Sequence, residues 1–124
     1  MSHRLVLVVE DDPLLILESC EALRRHGFEV VGVNSAAAAL IVMGEHPRLL
    51  AMVTDVDLGV GCDGFGLARR ARASNARLPV VFVSGMASAR QMAADVERSE
   101  FIDKPFHPSE IVEALGRVVL LSAS

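Results

Sequence analysis

Two groups of acidic residues and a single lysine are the side chains of this sequence best suited to chemistry. Glu10 and Asp11 directly follow one short aliphatic run, and Asp55 directly follows another. Lys104 is the only lysine in a chain that otherwise uses arginine. Carboxylates brought close together need positive charge, either from an ammonium group or from a hard, oxygen-seeking metal ion such as Mg²⁺. Such a set can bind a phosphoryl group, and one of its carboxylates can attack phosphorus.

The glycine-rich loop after Asp55 suggests a different chemistry. Gly59, Gly61 and Gly64 match the G-x-G-x-x-G pattern of dinucleotide-binding loops. That motif opens the first strand-to-helix turn and has an acidic residue about 20 positions later that holds a ribose. Here the loop follows the third strand-like run, Asp55 and Asp57 would repel a pyrophosphate, and no acid stands at the ribose position. We therefore interpret the glycines as forming a tight turn.

The composition of the 124-residue chain argues against several other classes of function. Its length corresponds to one domain, and 52% of its residues are hydrophobic. A formal net charge of −4 and few aromatic residues argue against a nucleic-acid partner. Cys20 and Cys62 are far apart, and no spacing of cysteine or histidine indicates a zinc site. No signal peptide or membrane-length apolar run is present, which predicts a cytoplasmic protein without membrane contact.

Apolar runs of strand length alternate with longer segments of helical periodicity, which predicts five strand-helix units. The predicted strands are residues 5–9, 28–32, 50–54, 79–83 and a short 101–103. The predicted helices are residues 13–26, 35–45, 65–74, a weaker 87–98 and 109–121. Asp12 and Ser35 are predicted to cap the first two helices at their N-termini.

Strands that lack polar alternation are buried on both faces, so the predicted fold is α/β, a doubly wound five-stranded parallel sheet covered by five helices. The commonest strand order at this size is 2-1-3-4-5, in which ligands bind where the ends of strands one and three meet. Glu10, Asp11, Asp55, Ser84 and Lys104 all follow predicted strands, so this fold would gather them at one edge. The carboxylates would bind Mg²⁺, and Lys104 and Ser84 would contact phosphoryl oxygens.

Five stretches of the sequence match a known family in the family's own order. They are LVLVVEDDP at 5–13, VTDVDL at 53–58, DGFGLARRAR at 63–72, PVVFVSG at 79–85 and FIDKPF at 101–106. By these stretches the chain resembles a response-regulator receiver domain, the phosphoacceptor module of two-component signalling. Chemotaxis receivers share the 2-1-3-4-5 order. The resemblance implies a single receiver domain over residues 1–124, with no output domain.

The resemblance also implies a role for each acidic residue. Asp55 would be the phosphorylated aspartate, and Asp11 would be a direct Mg²⁺ ligand. Glu10 would be the second acid of the metal pocket. The backbone carbonyl of Asp57 would complete the ligands that the protein gives to the metal.

The remaining residues would connect the phosphoryl group to a partner. Ser84 and Lys104 would bind the phosphoryl oxygens, and Phe101 would be the aromatic residue of the switch. The phosphoryl group would come from a phosphohistidine of a sensor histidine kinase or a histidine phosphotransferase. The chain would then change its affinity for a downstream protein at the face of the fourth helix, fifth strand and fifth helix. A homodimer is also compatible with the resemblance. It would modify itself without being a turnover enzyme.

Simpler interpretations of the same residues remain open. Ser84 could cap the following helix, Lys104 could be a surface lysine, and Phe101 could be packing. A phosphorylation-independent interaction module is a second function class, and a small hydrolase is a third, because DVDL resembles the D-x-D of aspartyl-phosphate phosphohydrolases. The chain departs from the family at Gly59, where a proline is common, and at residues 85–100, a short segment that predicts a short fourth helix.

Overall fold

Five β-strands and five α-helices alternate along the chain in the computed structural model, which describes residues 4–59 and 62–123. The strands are β1 (Leu5–Val9), β2 (Glu29–Val33), β3 (Ala51–Asp55), β4 (Val80–Ser84) and β5 (Ser99–Asp103). The helices are α1 (Pro13–Arg25), α2 (Ala36–Glu45), α3 (Gly64–Ser74), α4 (Ala87–Ala94) and α5 (Pro108–Ala123). The five predicted strand-helix units are confirmed.

All five strands are parallel and form one sheet in the order β2-β1-β3-β4-β5, as predicted. β1, β3 and β4 are inside the sheet and are buried along their whole length, which explains why their sequences carry no polar alternation. β2 and β5 are the edge strands and are partly exposed. Val9 pairs with Thr54, so the carboxyl ends of β1 and β3 are neighbours.

Helices cover both faces of the sheet, because successive side chains of a strand point to opposite faces. On one face the apolar core contains Ala39 of α2, Phe65 of α3 and Ala89 of α4. On the other face it contains Leu23 of α1 and Ile111 of α5. The fully buried strands are therefore held between two apolar layers, with their carboxyl ends fixed in position.

The fourth helix is short, as the departure of residues 85–100 from the family pattern predicts. α4 ends at Ala94, so the predicted boundary at residue 98 is wrong. The hydroxyl of Ser99 lies 3.3 Å from the carbonyl oxygen of Ala93, in the last turn of the helix, and 2.6 Å from that of Val96, in the turn that follows. Arg98 has φ +52°, in the left-handed region, and so forms part of the turn between α4 and β5. β5 starts at Ser99, two residues before its predicted start.

The other boundaries agree with the predictions within one or two residues, and both predicted N-caps are confirmed. The Asp12 carboxylate accepts hydrogen bonds from the N–H groups of Leu14 and Leu15, at 2.9 and 3.4 Å. The Ser35 hydroxyl accepts one from the N–H of Ala38 at 3.1 Å. Among residues 4–59 and 62–123, no helix has both the length and the apolar character needed to cross a bilayer.

The start of α3 lies directly against the end of β3. The N–H of Gly64 donates to the carbonyl of Val56 at 2.8 Å, and Asp63 caps the helix by accepting from the N–H of Gly66 at 2.8 Å. A Cβ at position 64 would lie 2.4 Å from the carbonyl oxygen of Asp55 and 2.9 Å from the Cα of Val56. No side chain fits there, so Gly64 sets how closely α3 approaches the residue that ends β3.

We expect Gly64→Ala to lower the free energy of unfolding by about 1–3 kcal/mol, because the added methyl group collides with backbone atoms. Urea unfolding followed by far-UV circular dichroism measures the change. Gly116→Ala in α5 is the matched control, since a Cβ there meets nothing within 4 Å. It should raise the free energy of unfolding by about 0.5–1 kcal/mol. Equal stability changes in the two variants would contradict the close packing at Gly64.

Candidate functional site

The carboxyl ends of β1, β3 and β5 carry the acidic residues and the lysine singled out from the sequence. Glu10 follows β1, Asp55 ends β3, and Lys104 follows β5. Glu10 and Asp55 are each only 5% exposed, whereas Asp11 is exposed. The parallel sheet thus brings residues from three distant parts of the chain to one edge.

Lys104 connects the two buried carboxylates. Its Nζ lies 3.1 Å from Asp55 Oδ2 and 3.1 Å from Glu10 Oε2, and its side chain is 25% exposed. The backbone N–H of Lys104 donates to the carbonyl of Ser84 at 2.9 Å, and the peptide bond to Pro105 is cis. Lys104 is therefore part of the acidic cluster, and its interpretation as an ordinary surface lysine is wrong.

Burial and charge change the protonation of two groups in this cluster. Burial of Glu10, and after it the charge of Asp55, raises the pKa of Glu10 to about 7, although the hydrogen bond from Lys104 opposes the shift. Burial alone would lower the pKa of Lys104, but the charge of Asp55 and the hydrogen bonds to Asp55 and Glu10 outweigh it and raise that pKa. In the metal-free protein Lys104 is therefore a cation, while Glu10 exchanges a proton near neutral pH.

Glu10, Asp11 and Asp55 form a group of carboxylates that could hold a metal ion, since one oxygen from each lies within 4.8 Å of the others. The donors are all carboxylate oxygens, which suit a hard cation and not a zinc or copper ion that prefers nitrogen or sulfur. When ionised, the three carboxylates and the one ammonium group of Lys104 leave a formal charge of −2, which a divalent cation neutralises. The acidic pocket is thus compatible with Mg²⁺.

Asp57 lies in the loop after β3, and its carboxylate bonds within that loop. Its Oδ1 accepts a hydrogen bond from the N–H of Gly59 at 3.3 Å, and Gly59 has φ +81°, which suits glycine. The Asp57 carboxylate is exposed and is not one of the three in the cluster. The metal role predicted for Asp57 concerns only its backbone carbonyl and stays a prediction. Gly61, the second glycine of the G-x-G-x-x-G pattern, lies outside the described residues.

Ser84 and Phe101 are on β4 and β5, beside the cluster. Ser84 is 2% exposed, and its Oγ accepts a hydrogen bond from the N–H of Met86 at 3.0 Å. Met86 is the N-cap residue of α4, and this helix has no side-chain cap, so the interpretation of Ser84 as a helix cap is wrong. Phe101 is half-buried, and the guanidinium of Arg90 lies 4.8 Å from its ring centroid. A charged group therefore covers part of the Phe101 ring.

Two residues near this site were missed from the sequence. Gly64 was assigned only to a tight turn, and its close approach to the end of β3 depends on how α3 packs on the sheet. Arg90 gave no signal at all. Its partners Phe101 and Asp103 are 11 and 13 residues away, and the contact depends on how α4 packs beside β5.

Comparison with known proteins identifies the family of this chain. The family model of the response regulator receiver domain matches residues 6–116. The chain belongs to this family. The response regulator receiver protein CpdR of Brucella abortus is 29% identical over 117 residues, which are 93% of this chain and 96% of that protein. The virulence transcriptional regulatory protein PhoP of Salmonella typhimurium is 32% identical over 110 residues, which are 86% of this chain but 48% of that protein.

A solved structure supports the same classification of the receiver fold. The crystal structure of a response regulator receiver protein from Sinorhizobium medicae has a TM-score of 0.85 to this chain, at 27% identity and with 95% of each chain covered. Receiver domains are signalling modules of two-component systems, and their partners are histidine kinases or phosphotransferases and downstream effectors. The predicted family and fold are confirmed.

In metal-free buffer, Glu10 should make this receiver domain less stable as the pH rises. Its folded-state pKa of about 7 lies above the ordinary value of 4.5, so the folded protein binds the proton more tightly. The stabilisation that this proton gives is fully present below the ordinary pKa of 4.5. It is lost as the pH rises through the folded-state pKa of about 7. We expect the melting temperature in EDTA to fall more between about pH 5 and about pH 8 in the wild type than in Glu10→Gln, by several degrees.

Thermal unfolding followed by circular dichroism at each pH measures this difference. Glu113→Gln, which replaces an exposed carboxylate on α5, is the control and should keep the wild-type pH dependence. The same pH dependence in Glu10→Gln as in the wild type would show that Glu10 does not carry the effect.

Proposed function

We propose that this receiver domain accepts a phosphoryl group on Asp55 from a phosphohistidine of a sensor histidine kinase or a histidine phosphotransferase. The main support is the contact between the only lysine of the chain, Lys104, and the buried carboxylate of Asp55 at 3.1 Å. A fixed ammonium group beside a carboxylate nucleophile offsets the negative charge of the arriving phosphoryl oxygens. Two further acids, Glu10 and Asp11, lie next to it.

Asp55 suits the acceptor role better than either of its acidic neighbours. It ends β3, the central strand of the sheet, so its backbone is held from both sides. Glu10 lies after the end of β1, and its Oε1 already accepts a hydrogen bond from the N–H of Asp12 at 3.2 Å. Asp11 is exposed and has no recorded contact with Lys104.

The reaction transfers one phosphoryl group between two proteins. A carboxylate oxygen of Asp55 attacks phosphorus while the bond from phosphorus to the donor imidazole nitrogen breaks. The nitrogen keeps the electron pair and takes up a proton, and the product is an acyl phosphate on Asp55. Lys104 Nζ and the hydroxyl of Ser84 bind the phosphoryl oxygens. Since each chain takes up one group, the domain is a signalling module and not a turnover enzyme.

The donor set of the acidic pocket fits Mg²⁺. Glu10, Asp11, Asp55 and the backbone carbonyl of Asp57 would hold the ion. When bound, Mg²⁺ supplies positive charge that offsets the charge of the pocket and of the phosphoryl oxygens. Lys104 alone leaves two of the three carboxylate charges unbalanced, which supports the need for a divalent cation.

Ser84 provides a route from the acceptor to the output surface. Its hydroxyl now accepts from the N–H of Met86, at the start of α4. A phosphoryl oxygen on Asp55 is a strong acceptor, so the Ser84 O–H turns toward it and the β4–α4 turn shifts. The Phe101 ring on the neighbouring strand β5 moves with this turn. The face formed by α4, β5 and α5 then changes its affinity for a downstream protein.

Incubation with acetyl phosphate and Mg²⁺ should add one phosphoryl group to the wild type and none to Asp55→Asn, because the amide is not a nucleophile toward phosphorus. Intact-mass spectrometry measures the adduct, and hydroxylamine should remove it. Asp57→Asn is the control, since that carboxylate bonds within the loop, and it should still be labelled. Full labelling of Asp55→Asn would place the acceptor elsewhere. No labelling of folded wild type would favour a phosphorylation-independent interaction module.

Mg²⁺ should stabilise the folded domain, by about 1.4 kcal/mol at a concentration ten times its Kd. Asp11→Asn should weaken Mg²⁺ binding by about 10- to 100-fold, because it removes a carboxylate from the cluster. The chain has no tryptophan or tyrosine, so isothermal titration calorimetry is the suitable measurement. Asp12→Asn is the matched control, since asparagine also caps a helix, and it should keep the wild-type Kd. Equal affinities of the two variants would exclude Asp11 as a ligand.

A further inference from the structure

We propose that Arg90 is a positioning residue of the switch, which holds Phe101 and Asp103 in the arrangement of the unphosphorylated chain. Arg90 thereby increases the free energy that phosphorylation must supply to move Phe101. This inference rests on the proposed function of Asp55 and Phe101, and it adds a residue that restrains that switch.

The guanidinium of Arg90 contacts β5 in two places. It lies 4.8 Å from the centroid of the Phe101 ring, within the range of a cation–π interaction. Its Nη2 also donates to Asp103 Oδ2 in an ion pair. Phe101 and Asp103 are two residues apart on a strand, so they project from the same face of the sheet. One side chain of α4 therefore joins both residues of that face.

These contacts lie in register with the carboxyl-terminal part of β4. Asp103 pairs in register with Ser84, and Phe101 pairs with Phe82. Ser84 in turn accepts a hydrogen bond from the N–H of Met86, the N-cap residue that precedes α4. A shift of the β4–α4 turn toward Asp55 thus changes the position of α4, and with it the place of Arg90 above the ring.

Arg90 opposes the movement of Phe101 because its cation–π contact exists only while the ring stays in its present position. The side chains of Arg90 and Asp103 are 57% and 60% exposed, so solvent weakens their ion pair, and its main effect is to orient the guanidinium. A ring that leaves the guanidinium loses the cation–π contact, while Asp103 keeps Arg90 in place. Removal of Arg90 therefore favours the moved state of Phe101.

The chain contains a matched control for this contact. Arg117 on α5 pairs with Glu100 on β5, with Nε and Oε1 3.0 Å apart, and its side chain is also 57% exposed. No ring contact of Arg117 is recorded among the described residues. Replacement of Arg117 removes an ion pair to the same strand without uncovering Phe101.

The test measures the affinity of the Mg²⁺-loaded protein for beryllofluoride, a phosphoryl mimic, by calorimetry. Arg90→Gln should lower the apparent Kd by roughly two- to fivefold, since the restraint on the unliganded state is lost. Arg117→Gln should leave the Kd unchanged. In a Phe101→Leu background, Arg90→Gln should lose most of its effect. An unchanged Kd in Arg90→Gln, or an undiminished effect without the ring, would overturn the inference.

Fluorine NMR of protein labelled with fluorophenylalanine gives an independent measurement of ring position. The chain has five phenylalanines, and Phe101→Leu identifies the resonance of Phe101. In unliganded Arg90→Gln this resonance should move toward its beryllofluoride-bound position, whereas in Arg117→Gln it should not. If beryllofluoride shifts the Phe101 resonance of the wild type, but this resonance has the same position in unliganded Arg90→Gln as in unliganded wild type, only the role of Arg90 is overturned. A folded wild type that does not respond to beryllofluoride overturns the proposed switch itself, and the Arg90 inference with it.

Discussion

Repulsion among three neighbouring carboxylates is the constraint on which the rest of this structure depends. Glu10 and Asp55 are almost completely buried, and the ammonium group that relieves them lies 94 and 49 residues away in sequence. Only a sheet that runs continuously from β1 to β5 brings Lys104 back to the two acids. The cluster itself opposes folding, because two buried charges lose their hydration. The two apolar layers on the sheet must therefore supply the stability that the site removes.

The molecule is divided into a rigid part that carries Asp55, the proposed acceptor, and a looser part beside it. Asp55 ends a strand that is buried along its whole length, and Gly64 allows α3 to pack directly on its backbone. Strand β5, by contrast, is an edge strand with partly exposed residues, and α4 has no side-chain cap. The proposed acceptor on β3 and the proposed switch residue Phe101 on β5 are thus separated by one strand, β4.

The sequence predicted those features whose cause is local. Buried strands have uninterrupted aliphatic runs, the acids stand directly after those runs, and Asp12 and Ser35 have the residue types of helix caps. The strand order was predicted instead as the commonest one for five strand-helix units, and the position of Lys104 at the acidic edge followed from it. The end of α4 was missed because the Ser99 hydrogen bonds that hold the turn after the helix leave no trace in the hydrophobic periodicity. The start of β5 was missed because polar residues of an edge strand do not resemble a core strand. The contacts of Arg90 with β5 could not be predicted, because they depend on how α4 packs beside that strand.

The small buried area of α4 makes its outer surface tolerant of substitutions. Ala89 and Ala93 are its only buried residues, so the helix contributes two methyl groups to the core, while Met86 and Met92 are about half exposed. So little buried area makes α4 a segment whose backbone amides should exchange with solvent early. It also means that the outer residues of α4 can be replaced without repacking any large side chain. Outer residues of α4 other than Arg90 can therefore change the specificity for a downstream protein while the acidic cluster around Asp55 stays intact.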